Sequence, residues 1–173
     1  TEPILYELLI AEIAAQRGSV GLAAQAYADL ARKTRDPRIA RRATELAGFA
    51  RLPNLALESA KVWNETEPAS IQALQTVTGL LIGARRVAEA ERYLDRLLRA
   101  SSTSLADGFL QLNRVLASNS DRAANLEVVR KLAARHAELP QARFAVAQAA
   151  AVAGDESLAL AEIRKAAELT PGS

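Results

Sequence analysis

Seven basic side chains crowd the stretch from residue 32 to residue 51: Arg32, Lys33, Arg35, Arg38, Arg41, Arg42 and Arg51, against Asp36 and Glu45. A positive surface of that kind attracts acidic partners or a phosphate backbone. Nucleic acid is the poorer match, because only Phe49 offers an aromatic platform nearby. Arginines on helices commonly pair with carboxylates one turn away, and Arg41 and Glu45 are spaced to do so. Catalytic chemistry finds little footing. The chain has no cysteine, which removes thiolate catalysis, disulfides and cysteine metal sites. His136 is the single histidine, with no second ligand for a metal and no partners for a triad; near a helix C-terminus it suits the dipole. There is no glycine-rich phosphate loop and no nucleophile elbow. The carboxylates sit beside basic residues in a helical pattern. The sequence therefore reads as non-enzymatic, with no cofactor and no metal.

The elements that must carry these side chains come from a repeat. An alanine recurs at Ala23, Ala56, Ala90 and Ala159, with Asn125 in the fourth place, at gaps of 33, 34, 35 and 34 residues. A period near 34 is the mark of stacked helix–turn–helix units. The spacing predicts ten helices in five hairpins: about 3–17 and 20–34, 37–50 and 54–66, 69–83 and 87–101, 104–118 and 121–137, 140–153 and 156–169. Gly18, Leu52-Pro53-Asn54 and Gly154-Asp155 mark turns; Asp36-Pro37, Ser104 and Asp121 mark helix starts. Of 173 residues, 50% are hydrophobic and only 4% aromatic, a content supplied by Ala and Leu that suits close-packed helices rather than sheets. Net charge is +2. No apolar run approaches the ~18 residues needed to span a membrane. Methionine is absent even at position 1, so the sequence reads as a processed piece of a longer protein, with any signal peptide or lipid anchor upstream.

With each marker set at repeat position 20, position 8 reads Ala11, Thr44, Thr78, Asn113 and Ala147, all small or modest. Position 7 reads Ile10, Ala43, Val77, Leu112 and Val146, and position 24 reads Tyr27, Ala60, Leu94, Val129 and Ile163. This pattern resembles the tetratricopeptide repeat family: small residues let two helices approach and apolar neighbours fill the space around them. Position 27 departs from it, with Leu30, Trp63, Leu97 and Leu132 before Ala166. The resemblance implies an all-α solenoid of about five hairpins wound as a right-handed superhelix. It implies one domain over residues 1–173, with units at about 4–36, 37–69, 70–103, 104–138 and 139–172. It also implies a concave groove lined by the first helix of each unit, at repeat positions 2, 5, 9 and 12. The candidates for partner binding there are Arg38, Arg41 and Glu45, then Gln72 and Gln75, then Arg114, then Gln141, Phe144 and Gln148. Gln and Arg can hydrogen-bond an extended peptide or its carboxylate, and Gly48 and Gly79 leave room for it. The sub-family that clamps terminal carboxylates uses Lys and Asn where this chain has Arg41 and Glu45, so that chemistry does not carry over. Trp63 is expected to pack within its own unit. The last helix shows an apolar stripe at Ala159, Ile163 and Ala166, which reads as a cut through a longer array or as a homodimer surface at the C-terminal end.

The segment Leu5 to Gly18, with Tyr27, Leu30-Ala31, Thr34-Arg35-Asp36-Pro37-Arg38 and Ala43-Thr44-Glu45-Leu46-Ala47, is similar to the N-terminal repeats of proteobacterial tetratricopeptide lipoproteins of the outer membrane. That resemblance implies a periplasmic scaffold that binds a carboxyl-terminal processing protease and brings it to its substrates. The alternative is a cytoplasmic adaptor or co-chaperone that holds peptide tails. Either reading gives a protein or peptide partner, no small-molecule cofactor, and a membrane link only through an anchor outside this sequence.

Overall fold

A computed structural model describes residues 2–100, 103–170 and 172. Among them are ten α-helices and no strand: α1 (Glu2–Gln16), α2 (Val20–Thr34), α3 (Pro37–Phe49), α4 (Pro53–Thr66), α5 (Ile71–Gly83), α6 (Val87–Ala100), α7 (Leu105–Leu116), α8 (Arg122–Ala134), α9 (Pro140–Val152) and α10 (Glu156–Leu169). The expected all-α hairpin architecture is what is seen. The largest boundary difference is α8, which stops three residues before the expected 137, where Arg135 leaves the helix and a turn follows.

The helix ends follow from side-chain chemistry. Asp36, Ser104, Asp121 and Asp155 each accept a backbone N–H in the first turn of the helix they precede, at 2.9–3.1 Å. Pro37, Pro53 and Pro140 open α3, α4 and α9, where a missing N–H costs nothing. Four of the five hairpin turns share one device. The residue at repeat position 15, Gly18, Arg51, Arg85 or Gly154, takes a positive φ of 58–87°. The next N–H returns to a carbonyl five residues back, as Ser19 does to Ala14 at 2.8 Å and Leu52 to Ala47 at 2.9 Å. At Gly18 and Gly154 the absence of Cβ makes this conformation free of strain.

The fourth hairpin is different, and it holds the 35-residue gap. Asn125 does not merely replace an alanine. Its Nδ2 donates to the carbonyls of Leu116 and Asn119, both at 3.1 Å, and its Oδ1 accepts from Asn119 Nδ2 at 2.7 Å. The amide thus ties the start of α8 to the end of α7 and to the turn that follows it, adding a second donor to the Leu116 carbonyl, which also accepts the Asn119 N–H at 3.0 Å.

Two compact units divide the chain, residues 1–80 and 81–173, with the boundary inside α5. In the first, α1–α4 pack through small residues: Ala23, Ala24, Ala28, Ala31, Ala40, Ala43, Ala47, Ala56 and Ala60 are all buried, with Leu30, Leu46 and Trp63 filling the spaces between. Contacts of this kind permit close helix approach at native density. In the second, Phe109, Leu112, Leu116, Val129 and Leu132 form the centre against Ala142, Ala145 and Val146. Gly108 sits where a Cβ would lie 2.8 Å from Leu98 Cδ2, which fixes how closely α7 meets α6. Apolar repeat positions 7 and 24 are buried in the inner units, but Ile10 and Ile163, at the two ends of the series, are exposed.

Candidate functional site: an apolar groove between two first helices

A cleft opens in the first unit, where α3, α4 and α5 meet. A cleft of about 490 Å³ is lined by Thr44, Glu45, Gly48 and Phe49 of α3, Ala56 and Trp63 of α4, and Gln72, Thr76 and Leu80 of α5. Each wall has a local cause. Thr44 is buried, and its hydroxyl turns back to its own helix, donating to the Ala40 carbonyl at 2.8 Å; it spans no space. Gly48 has open space where a side chain would stand. Phe49 ends α3 with its ring 80% exposed. Gln72, Thr76 and Leu80 repeat at every fourth residue and so share one face of α5.

Arg41 and Glu45 form the polar rim, with the buried Trp63 beneath them. The Arg41 guanidinium lies 5.6 Å from the Trp63 ring centroid and bonds Glu45 at 3.2 Å. The indole N–H of Trp63 donates to Glu67 at 2.9 Å, so a side chain 97% buried still finds a partner. Behind the rim, Glu12 joins three helices: it accepts from Tyr27 Oη at 2.5 Å and pairs with Arg42 at 2.9 Å. Those two hydrogen bonds, Tyr27's first, hold the Glu12 carboxyl below its usual range. Burial, then the bond to Glu12, pushes the Tyr27 phenol up to about 12.

The basic stretch is internally paired. Arg32 meets Asp29 and Glu58, Arg35 meets Glu65, Arg38 meets Asp36, Arg41 meets Glu45 and Arg42 meets Glu12. Five of its seven cations are thus committed to carboxylates, which leaves little free field for a polyanion.

Of the sequence-predicted residues, Glu45 and Gln72 line the cleft and Arg41 borders it. Arg38 does not: its guanidinium folds back on the Asp36 cap at 2.8 Å. Gln75 is exposed on α5, outside the lining. In the second unit, Arg114 is exposed on α7, while on α9 Gln141 is half-buried and Phe144 is 41% exposed. Gln148 Oε1 accepts from Asn113 Nδ2 at 3.3 Å. A smaller cleft of about 260 Å³ is bordered there by Asn113, Asn119, Arg122, Asn125 and Val152. Sequence reasoning missed Phe49, Thr76 and Leu80. The signal for the last two was the four-residue stripe through Gln72; for Phe49 it was a large aromatic directly after Gly48. His136 meets the buried Phe109 ring edge-on at 5.7 Å, a packing contact. Among the described residues no group of three or more His, Cys, Asp or Glu can hold a metal ion, and no helix is long and apolar enough to cross a membrane.

Helix hairpins repeated every 34 residues or so, with small residues where paired helices touch, define the tetratricopeptide-repeat fold, and this chain has it. No family model matches the sequence. The chain is 31% identical over 127 residues to a TPR repeat-containing protein of Pseudomonas aeruginosa, a match that takes in 73% of this chain and 21% of that protein. It therefore spans about a fifth of the length of that curated relative. Its fold is also that of MamA crystal structures: one matches with a TM-score of 0.54 at 19% identity over 97% of this chain and 92% of that one. MamA of Desulfovibrio magneticus matches at 0.51 and 15% identity, over 98% and 96%.

Proposed function

We propose that this chain is a protein-interaction module that holds an extended peptide segment of a partner in the α3–α5 cleft. The observation that carries this reading is the cleft itself: an apolar hollow with an exposed Phe49, bounded by Arg41, Glu45 and Gln72. Such a surface takes one large apolar side chain in the hollow and offers polar partners to the peptide backbone on either side. Its affinity comes from burying Phe49 and Leu80, and its direction from the rim. The likeness of the first 50 residues to outer-membrane lipoproteins supports a further step: the intact protein works as a periplasmic scaffold, anchored at the outer membrane, that brings a protease to its substrates. The upstream sequence tests that step, since a signal peptide ending in a lipidated cysteine is required and a plain start favours the cytoplasmic adaptor.

The cleft is tested by filling it. Gly48→Leu places a side chain in open space and leaves the helix intact, raising stability by about 0.5–1 kcal/mol because glycine is a poor helix former. Peptides selected from a random displayed library on the native chain should carry a large apolar residue. They should bind the Gly48→Leu variant about tenfold or more weakly. Equal affinity for both forms rejects the cleft as the contact surface.

A further inference from the structure

Arg51 stands beside the cleft with no counter-charge inside the first unit. It follows Phe49 by two residues, in the turn from α3 to α4. Its N–H donates to the Gly48 carbonyl at 3.1 Å, so it is held against two of the residues that line the hollow. It is exposed and forms no ion pair among the described residues. Its backbone is strained as well. Arg51 has φ 58°, where Gly18 and Gly154, at the same repeat position, carry no Cβ to clash. Arg85 shares the position and the conformation but belongs to the second unit. Arg35, at the end of α2, has the same left-handed backbone with φ 54°, and its guanidinium is engaged by Glu65 at 2.9 Å. Arg51 has no such contact to offset its strain, and strained residues of this kind gather where ligands bind.

The other cations near the cleft are already paired or lie elsewhere. Arg38, Arg41 and Arg42 of α3 meet Asp36, Glu45 and Glu12. Helix α5 carries no charged residue. Lys61 of α4 stands two residues from Trp63 and so off its face. Lys33 belongs to α2, which gives no residue to the lining. We infer that Arg51 makes the cleft selective for a peptide with an acidic residue close to its large apolar one, the carboxylate pairing with Arg51 while the apolar side chain enters the hollow beside Phe49. The inference rests on the peptide-holding role of the cleft and adds to it the charge of the partner. An arginine fork holds a carboxylate in a fixed geometry. Arg51 lies past the Phe49 end of the α3 wall, so the acid falls on one side of the apolar residue only.

Peptides selected from a random displayed library on the native chain should carry Asp or Glu near the large apolar residue, on one side of it. Two synthetic peptides of one selected sequence, with Glu or with Gln at that place, then read the charge by fluorescence polarisation. The Glu form should bind the native chain about three- to fivefold more tightly, the scale of one exposed ion pair, and the difference should shrink in high salt. Arg51→Asn should bind both peptides alike, at the native chain's affinity for the Gln form. Asparagine takes the left-handed backbone readily, so helical circular dichroism should not change. Arg51→Lys should keep the preference for Glu. Selected peptides without an acidic bias overturn the inference, as does a Glu preference that persists in Arg51→Asn; in either case weaker binding by Gly48→Leu still upholds the cleft. Loss of all binding in Arg51→Asn also overturns it, by making Arg51 a part of the turn rather than a reader of charge. If Gly48→Leu binds as the native chain does, the cleft reading falls and this inference with it.

Discussion

Thr44, Glu45 and Gly48 on α3 stand at the same three repeat positions as Asn113, Arg114 and Ala117 on α7. Thr44, Glu45 and Gly48 border an apolar cleft of about 490 Å³, whereas Asn113 and Ala117 border a smaller one of about 260 Å³ whose lining mixes Asn119, Arg122 and Asn125 with Leu116, Ala149 and Val152. Position 8 accounts for much of the contrast. Thr44 satisfies its hydroxyl within its own helix and leaves the neighbouring space empty. Asn113 is one atom longer and carries an amide, and it reaches across to α9, donating to the Ala145 carbonyl at 3.0 Å and to Gln148 at 3.3 Å. A groove position in this fold is thus open or bridged according to whether its polar side chain bonds locally or across helices. Trp63 adds to the contrast, since the equivalent position of the fourth unit holds Leu132. An indole there carries the arginine rim, and a leucine has no means to.

Removing the indole breaks the comparison most strongly. Trp63→Ala empties a buried site in the first unit and should cost about 3–5 kcal/mol in urea denaturation. Amide exchange should quicken in α2–α4 well before α8–α10. Equal loosening of both units would mean that the cores are not separate.

The hairpins were legible because their signals are local: the 34-residue alanine marker, prolines at first helical positions and acceptor residues before them. Positions 7 and 24 carried the core for the same reason, since small and large residues must alternate where helices touch. The cleft was only half legible. Glu45 and Gln72 were found because the groove register names them, whereas Thr76 and Leu80 needed the register of a neighbouring helix face. Arg38 was read as a groove candidate, and the structure pairs its guanidinium with Asp36, an acid the sequence reading gave only as a cap. No sequence rule says that one carboxylate will serve both the backbone and the guanidinium. Asn125 stands in the place of the marker alanine, and the turn carbonyl of Asn119 and the amide of Asn119 that it bonds come within reach only in the lengthened fourth turn.

Alkaline titration sharpens the contrast next, because the Glu12–Tyr27–Arg42 tie belongs to the first unit alone. Tyr27 is neutral when folded, with its pKa raised to about 12 by burial and by Glu12. Its contribution is therefore fully present below pH ~10, the ordinary phenol value, and is lost as pH rises through about 12. Glu12 runs the other way. Its lowered pKa gives a contribution present above the ordinary glutamate range and lost as pH falls through the depressed value. Denaturation at stepped pH should show a decline of about 1–2 kcal/mol across the alkaline window. Tyr27→Phe should flatten it. A decline that persists in Tyr27→Phe assigns the effect to other groups.

Exchanging the two position-8 residues gives the smallest effect and the most direct test of the contrast. Asn113→Thr removes the bonds to Ala145 and Gln148, and threonine can turn its hydroxyl to its own helix as Thr44 does, so the cost should be about 1 kcal/mol. Gln148 is then released, and the α7–α9 face opens toward the α3–α5 form. Thr44→Asn does the reverse: the amide has no place in a site where the hydroxyl is buried, so it must turn into the cleft beside Gln72 and take up the space a peptide side chain would fill. Peptide affinity should fall in Thr44→Asn and stay unchanged in Asn113→Thr, with the folded helix content the same in both. If Thr44→Asn binds as the parent does, the openness of the cleft is set by Gly48 and Phe49, and position 8 has no part in it.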